Sequence, residues 1–250
     1  MLSEISLNLP PAVLMLTAIV VFVAAAARGY AGFGFSTILM VCLVPWIPVA
    51  QLVPMSIALE IIASSAQARQ VFPDIQRRFL VVLLIASLIG TPFGVLMLTH
   101  VPDKSLQLLV FGLILASTLI LLIARPRPVA ISTSYLFVSG LVAGAVNGAT
   151  ALSGLVLALF LTSSTVSSHT MRATMIAYLF FTDVITGAFL LAADHFDTQT
   201  ALRVLFSIPF LLAGIWVGTR QFLTTPSESF KSLVMWLLVL FCVLGLFRLL

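Results

Sequence analysis

The sequence predicts an all-α polytopic membrane protein built as two inverted repeats, each a broken or re-entrant helical hairpin followed by three transmembrane helices. Composition, the lengths of the apolar runs, and a register shared between the two halves lead there. Of 250 residues, 61% are hydrophobic and 8% charged, where a soluble domain carries roughly a quarter charged residues. That excludes an ordinary soluble fold. At about 20 residues per crossing, the chain accommodates on the order of seven or eight crossings in a single transmembrane domain, 1–250, with no separate soluble domain.

Apolar windows with two charged residues or fewer fall at 49–67, 79–99, 105–123, 171–192, 203–223 and 231–249, each long enough to span. The earlier run, Ala12–Ala27, follows a segment with Glu4 and no Lys or Arg. It therefore lacks the basic region of a signal peptide and is expected to stay in the mature chain. Two regions, 12–47 and 135–166, are too long for one straight span. Small and polar residues interrupt them at Arg28–Gly34 and Gly144–Thr150. The flanking pieces Ser36–Trp46, Tyr135–Ala143 and Leu152–Leu161 each make ~18 Å of helix or less, about half a membrane. Each region is expected to enter the bilayer, turn near its middle and leave on the side of entry; the alternatives are a longer crossing by Ala12–Ala27 and a single full crossing by each region, making eight spans.

The halves share a register. Gly90-Thr91-Pro92-Phe93-Gly94 aligns with Gly214-Ile215-Trp216-Val217-Gly218 at an offset of 124 residues, and Pro102 then falls on Pro226. Repeat one is placed at 1–124 and repeat two at 125–250. A hairpin plus three crossings is odd in parity, so the second repeat lies upside down relative to the first. Under that topology one face collects Arg69, Arg77, Arg78, Arg125, Arg127, Arg172, Arg220 and Lys231, and the other Lys104, Arg203 and Arg248. The richer face is the cytoplasmic one by the positive-inside rule, which sends both termini away from the cytoplasm.

The net charge of +4 is too small and too dispersed to form a nucleic-acid-binding stripe, so no nucleic-acid partner is expected; the surrounding partner is membrane lipid. Cys42 and Cys242 sit in apolar runs and read as small buried hydrophobes. His100, His169 and His195 show no metal-ligand spacing, and no metal or other cofactor is expected.

Three ionisable residues lie inside apolar sequence, where charge is costly enough to mark function: Arg28, Glu60 and Asp183. Arg28 adjoins the first break and offers a fixed positive charge to an anion, beside the backbone N–H groups of the helix that restarts there. Its structural alternative is snorkelling to an interface. Glu60 and Asp183 read as proton carriers or as ion-pair partners for Arg28, the structural alternatives being a plain ion pair for Glu60 and capping by Thr182 or Thr186 for Asp183. Around them the breaks supply Gly32, Phe33, Gly34, Ser36 and Thr37 on one side and Asn147, Gly148, Thr150 and Ser153 on the other. Non-helical backbone survives at that depth only when buried in protein or lining a cavity, and two converging half-helix N-termini make an anion site. Glycines used for close helix packing are the alternative. An intramembrane hydrolase using Ser153 and His169 is the rival enzyme reading, and it needs the two within hydrogen-bond reach.

The segments Gly29-Tyr30-Ala31-Gly32-Phe33-Gly34-Phe35-Ser36, Val44-Pro45, Pro48-Val49-Ala50 and Pro54-Met55-Ser56, echoed by Asn147-Gly148-Ala149-Thr150 and Arg172-Ala173-Thr174, resemble the sulfite exporter TauE/SafE family, also called the toluene-sulfonate uptake permease family. Pro54-Met55-Ser56 stands where Gly-Thr-Ser is common in that family, which marks a divergent member. The resemblance implies a carrier, not an enzyme, for small sulfur-containing or organic anions such as sulfite, sulfonates or sulfoacetate, in the bacterial cytoplasmic membrane. The expected mechanism is alternating access at a midplane site with proton coupling. An anion channel is the second reading, and a scaffold or assembly factor is the third. The particular anion, the direction of transport and the oligomeric state are left open by the sequence.

Overall fold

Proline, glycine and aspartate set the helix ends that position the rest. The chain enters its first helix through Pro10-Pro11, where a missing N–H costs nothing, and leaves it at Gly32, whose φ of 84° is left-handed and whose N–H returns to the Arg28 carbonyl at 2.7 Å. Such a C-cap needs a residue without a Cβ penalty. Gly34, at φ 95°, then starts the next helix. The third helix is capped from a distance, because the N–H of Val49 donates to Oδ1 of Asp103 at 2.8 Å.

The computed structural model describes residues 9–71, 74–123, 132–161, 168–224 and, further on, 239, 242, 243, 245 and 246. Among these residues there are nine helices and no strand: α1 (Pro11–Ala31), α2 (Phe35–Leu43), α3 (Val49–Val71), α4 (Arg77–His100), α5 (Asp103–Ile123), α6 (Thr133–Thr150), α7 (Ser153–Leu161), α8 (Ser168–Ala192) and α9 (Thr198–Thr224). Six of them, α1, α3, α4, α5, α8 and α9, are long and apolar enough to cross a membrane. Five of the six apolar windows read from sequence coincide with these helices; the window 231–249 lies almost wholly outside the described residues.

Two expectations are corrected. Arg28–Gly34 is not a break throughout, since α1 continues to Ala31 and spans 21 residues, about 31 Å. It has the length of a full crossing, the alternative the sequence left open for this segment. Gly144–Thr150 is not a break at all: α6 runs unbroken through it for 18 residues. The interruption lies after it, at Ala151 (φ 57°) and Leu152. What does match is the partner piece in each region. The helices α2 and α7 have 9 residues each, about 14 Å, and are too short to cross.

The most extensive helix contacts are α4 with α6, α1 with α9, and α3 with α8. Glycine makes the first two. A Cβ on Gly94 would overlap the carbonyl oxygen of Ala145, and one on Gly218 the carbonyl of Ala26. A Cβ on Gly148 would lie 2.5 Å from the Thr91 carbonyl, and one on Gly29 2.8 Å from the Ile215 carbonyl. Backbones this close are a membrane-protein solution, since packing has to replace the missing hydrophobic drive between helices. Outside the bundle, α4 presents Val81, Ile85, Leu88, Phe93 and Leu96 as an exposed apolar face. Inside, α3 and α8 are buried along most of their length and carry the polar residues.

Candidate functional site

The last turn of α1, the first turn of α2 and the middle of α3 meet at Arg28, Ser36 and Glu60. Arg28 is 0% exposed. Its Nη1 forms an ion pair with Oε2 of Glu60, and its Nη2 donates to Oγ of Ser64 at 2.5 Å. The other carboxylate oxygen of Glu60 accepts from Oγ of Ser36 at 2.7 Å and from the Ser36 backbone N–H at 3.3 Å. Glu60 therefore lies across the N-terminus of α2, where the helix dipole and free N–H groups favour negative charge. The snorkelling alternative for Arg28 does not hold: its guanidinium is turned into the protein. Thr37, next along α2, is buried.

A second polar cluster joins α6 and α8. Nδ2 of Asn147 donates to Oδ1 of Asp183 and to Oγ1 of Thr186, both at 2.9 Å. Among the described residues, three buried acceptors here have no hydrogen-bond partner: Oδ1 of Asn147, Oδ2 of Asp183 and Oγ of Ser153 at the start of α7. The two clusters are electrically linked, since the charges of Arg28 and Asp183 interact. Of the two carboxylates, Glu60 takes the ion pair and Asp183 is held by the amide.

The two interruptions in helix meet between these clusters. A Cβ on Gly154 would sit 3.4 Å from Cβ of Phe33, in ordinary contact, so the start of α7 touches the α1–α2 turn. Gly32 is covered by Arg172, whose Cγ would lie 2.8 Å from an added Cβ. Nη2 of Arg172 donates at 2.7 Å to the carbonyl of Gly29, one of the last carbonyls of α1. Beside Gly34 there is open space, with no atom within 4 Å of where a Cβ would be. Gly148 and Thr150 sit apart from this meeting point in their contacts. Gly148 packs on α4, and the Thr150 hydroxyl donates to the Val146 carbonyl of its own helix at 2.8 Å.

Sequence reasoning missed Ser64 and Arg172 and gave Thr186 only as a cap for Asp183. A signal existed for Ser64 and Thr186. Ser64 lies four residues after Glu60 and Thr186 three after Asp183, spacings that put side chains on one helix face. On α3 that face continues as Ser56, Glu60, Ser64 and Gln67, each 3% exposed or less. Arg172 was read as an orienting charge because it begins a span; nothing in its local sequence points to Gly29. The hydrolase reading pairs Ser153 with His169, whose side chain lies outside the described residues. Among the described residues no cluster of His, Cys, Asp or Glu is suited to a metal.

The model of the sulfite exporter TauE/SafE family matches residues 17–246, nearly the whole chain. No curated protein and no solved structure matches it.

Proposed function

Because the chain belongs to the sulfite exporter TauE/SafE family, a family of multi-pass membrane transporters, we propose that it carries small sulfur-containing or organic anions, such as sulfite, sulfonates or sulfoacetate, across a bacterial cytoplasmic membrane. The observation that carries this reading is Arg28, a fully buried cation set opposite the N-terminus of a half-length helix. An anion entering there meets the guanidinium, the Ser36 and Thr37 hydroxyls and the free N–H groups of α2. From the other side it meets Asn147 and Ser153 at the end of α6 and the start of α7. Gly32, Phe33 and Gly34 shape the turn between, and Glu60 or Asp183 couples the movement to protons. The exposed apolar faces of α4 and its neighbours are read as lipid-facing.

We also propose that 1–124 and 125–250 are inverted repeats. Matching contacts support this. Gly29 faces the Ile215 carbonyl while Gly148 faces that of Thr91, and Gly90 and Gly94 meet α6 as Gly214 and Gly218 meet α1. Ile215 lies 124 residues after Thr91, and Gly148 lies 119 after Gly29. By the same shift Gly32 falls on Ala151, the two left-handed caps, and Arg28 on Asn147. Such a pair of repeats alternates access by rocking one bundle against the other around a fixed site.

Counterflow in proteoliposomes tests the function. Vesicles preloaded with unlabelled sulfite are expected to accumulate radiolabelled sulfite transiently, with alkanesulfonates competing. Absence of counterflow with sulfite, sulfonates and sulfoacetate alike contradicts the carrier reading. A large single-channel conductance in place of counterflow points to the channel.

A further inference from the structure

Glu60 occupies the place that the proposed substrate would take. Its Oε1 accepts both donors of Ser36, the hydroxyl and the backbone N–H, and its Oε2 takes the guanidinium of Arg28. These are the donors an oxyanion would use, and a carboxylate of the protein already fills them. We infer that Glu60 is a tethered anion that closes the site at rest, and that a substrate anion enters by displacing it, whereupon Glu60 takes up one proton. This rests on the anion-site reading and specifies how that site is coupled.

Charge balance supports the proton. Arg28 is the positive charge in direct contact, and Glu60 and Asp183 already supply two carboxylates near it. A further anion beside an ionised Glu60 places like charges side by side in a medium where unpaired charge is expensive. If one proton arrives from water and bonds to a Glu60 carboxylate oxygen as the anion arrives, the net charge of the site is unchanged. From α8 the charged residues acting on the pair are Asp183 and Arg172, both through Arg28. Arg203 of α9 and Asp103 of α5 meet α3 at Gln51 and Val49, more than two turns from Glu60. The helices α2 and α6 carry no charged residue.

The surroundings leave somewhere for a displaced, protonated Glu60 to go. Among the described residues, the hydroxyl of Ser56, one turn before it on the same face of α3, is buried without a hydrogen-bond partner, as are both side-chain polar atoms of Gln67. Nε of Arg28 is likewise an unused donor, available for an anion larger than a carboxylate.

The test is proton uptake on binding. The purified full-length protein in detergent is titrated with methanesulfonate, which stays a monoanion across the neutral range, in weakly buffered solution containing a pH indicator. The wild type is expected to take up close to one proton per anion bound, and its affinity to fall about tenfold per pH unit on the alkaline side. Glu60→Gln is expected to bind at least ten times more tightly and to take up no proton. Anion binding without proton uptake by the wild type overturns the inference. So does uptake that survives in Glu60→Gln, or weaker binding by that variant. Should Glu60→Gln fail to fold, the wild-type pH profile decides, and a flat one overturns the inference. Failure of the wild type to bind methanesulfonate and sulfite at any pH strikes the anion-site reading itself.

Discussion

Arg28 is the side chain whose placement costs most. A guanidinium buried in a membrane protein is tolerated only with a full set of partners, and here Glu60 and Ser64 supply them. Removing one member of such a pair leaves the other charge stranded. Arg28→Ala is expected to destabilise the protein by about 3–5 kcal/mol, seen as a large drop in melting temperature in detergent. Arg28→Met combined with Glu60→Met is expected to recover most of that loss, because a well-packed apolar pair replaces a buried ion pair at little cost. Equal melting temperatures for Arg28→Ala and the wild type contradict the pairing. At the protein's edge, Asp197 caps α9: its Oδ1 accepts the Thr200 N–H at 2.7 Å. Thr200 holds its carboxyl below the usual range. A depressed folded-state value means the cap stabilises above the ordinary carboxyl range and is lost as pH falls through its titration. Asp197→Ala should therefore cost about 1 kcal/mol near neutral pH and close to nothing in strong acid, as followed by thermal denaturation at both pH values.

Among the helices, glycine carries two jobs that sequence alone does not separate. Gly32 and Gly34 take left-handed backbone and end one helix and start the next, and that interruption was readable because only glycine adopts such angles freely. In Gly144-Ala145-Val146-Asn147-Gly148 the glycines instead let α6 lie against α4, so a string that looked like a break is a packing face. The interruption after α6 falls at Ala151, an alanine at φ 57°, where no residue-type signal marks it. The packing role makes a paired prediction. Gly94→Ala pushes a methyl into the Ala145 carbonyl and should cost about 1–3 kcal/mol. Gly112→Ala on α5 meets nothing within 4 Å and should gain about 0.5–1 kcal/mol. Comparison of the two melting temperatures checks it, and equal shifts would contradict the assigned α4–α6 contact.

At the scale of the whole molecule, α3 and α8 form the polar centre, and the close pairs α1–α9 and α4–α6 flank it. The centre was legible as isolated charges: Arg28, Glu60 and Asp183 stand out because so little else in the chain is charged. How they divide was not. Nothing in the sequence assigns Glu60 to Arg28 and Asp183 to Asn147; reach decides that, and reach follows from where α2 restarts and how α6 lies on α8. Arg172 shows the same limit, since a residue that ends up on the Gly29 carbonyl is remote from it in sequence.

The proposed function requires Arg28 to hold the transported anion, in addition to being paired within the fold. Sulfite uptake by proteoliposomes containing the Arg28→Met, Glu60→Met protein, set beside its melting temperature, separates the two roles. The variant is expected to be as stable as the wild type, within a few degrees, and to move no sulfite above empty liposomes. Wild-type sulfite uptake by that folded variant would contradict it.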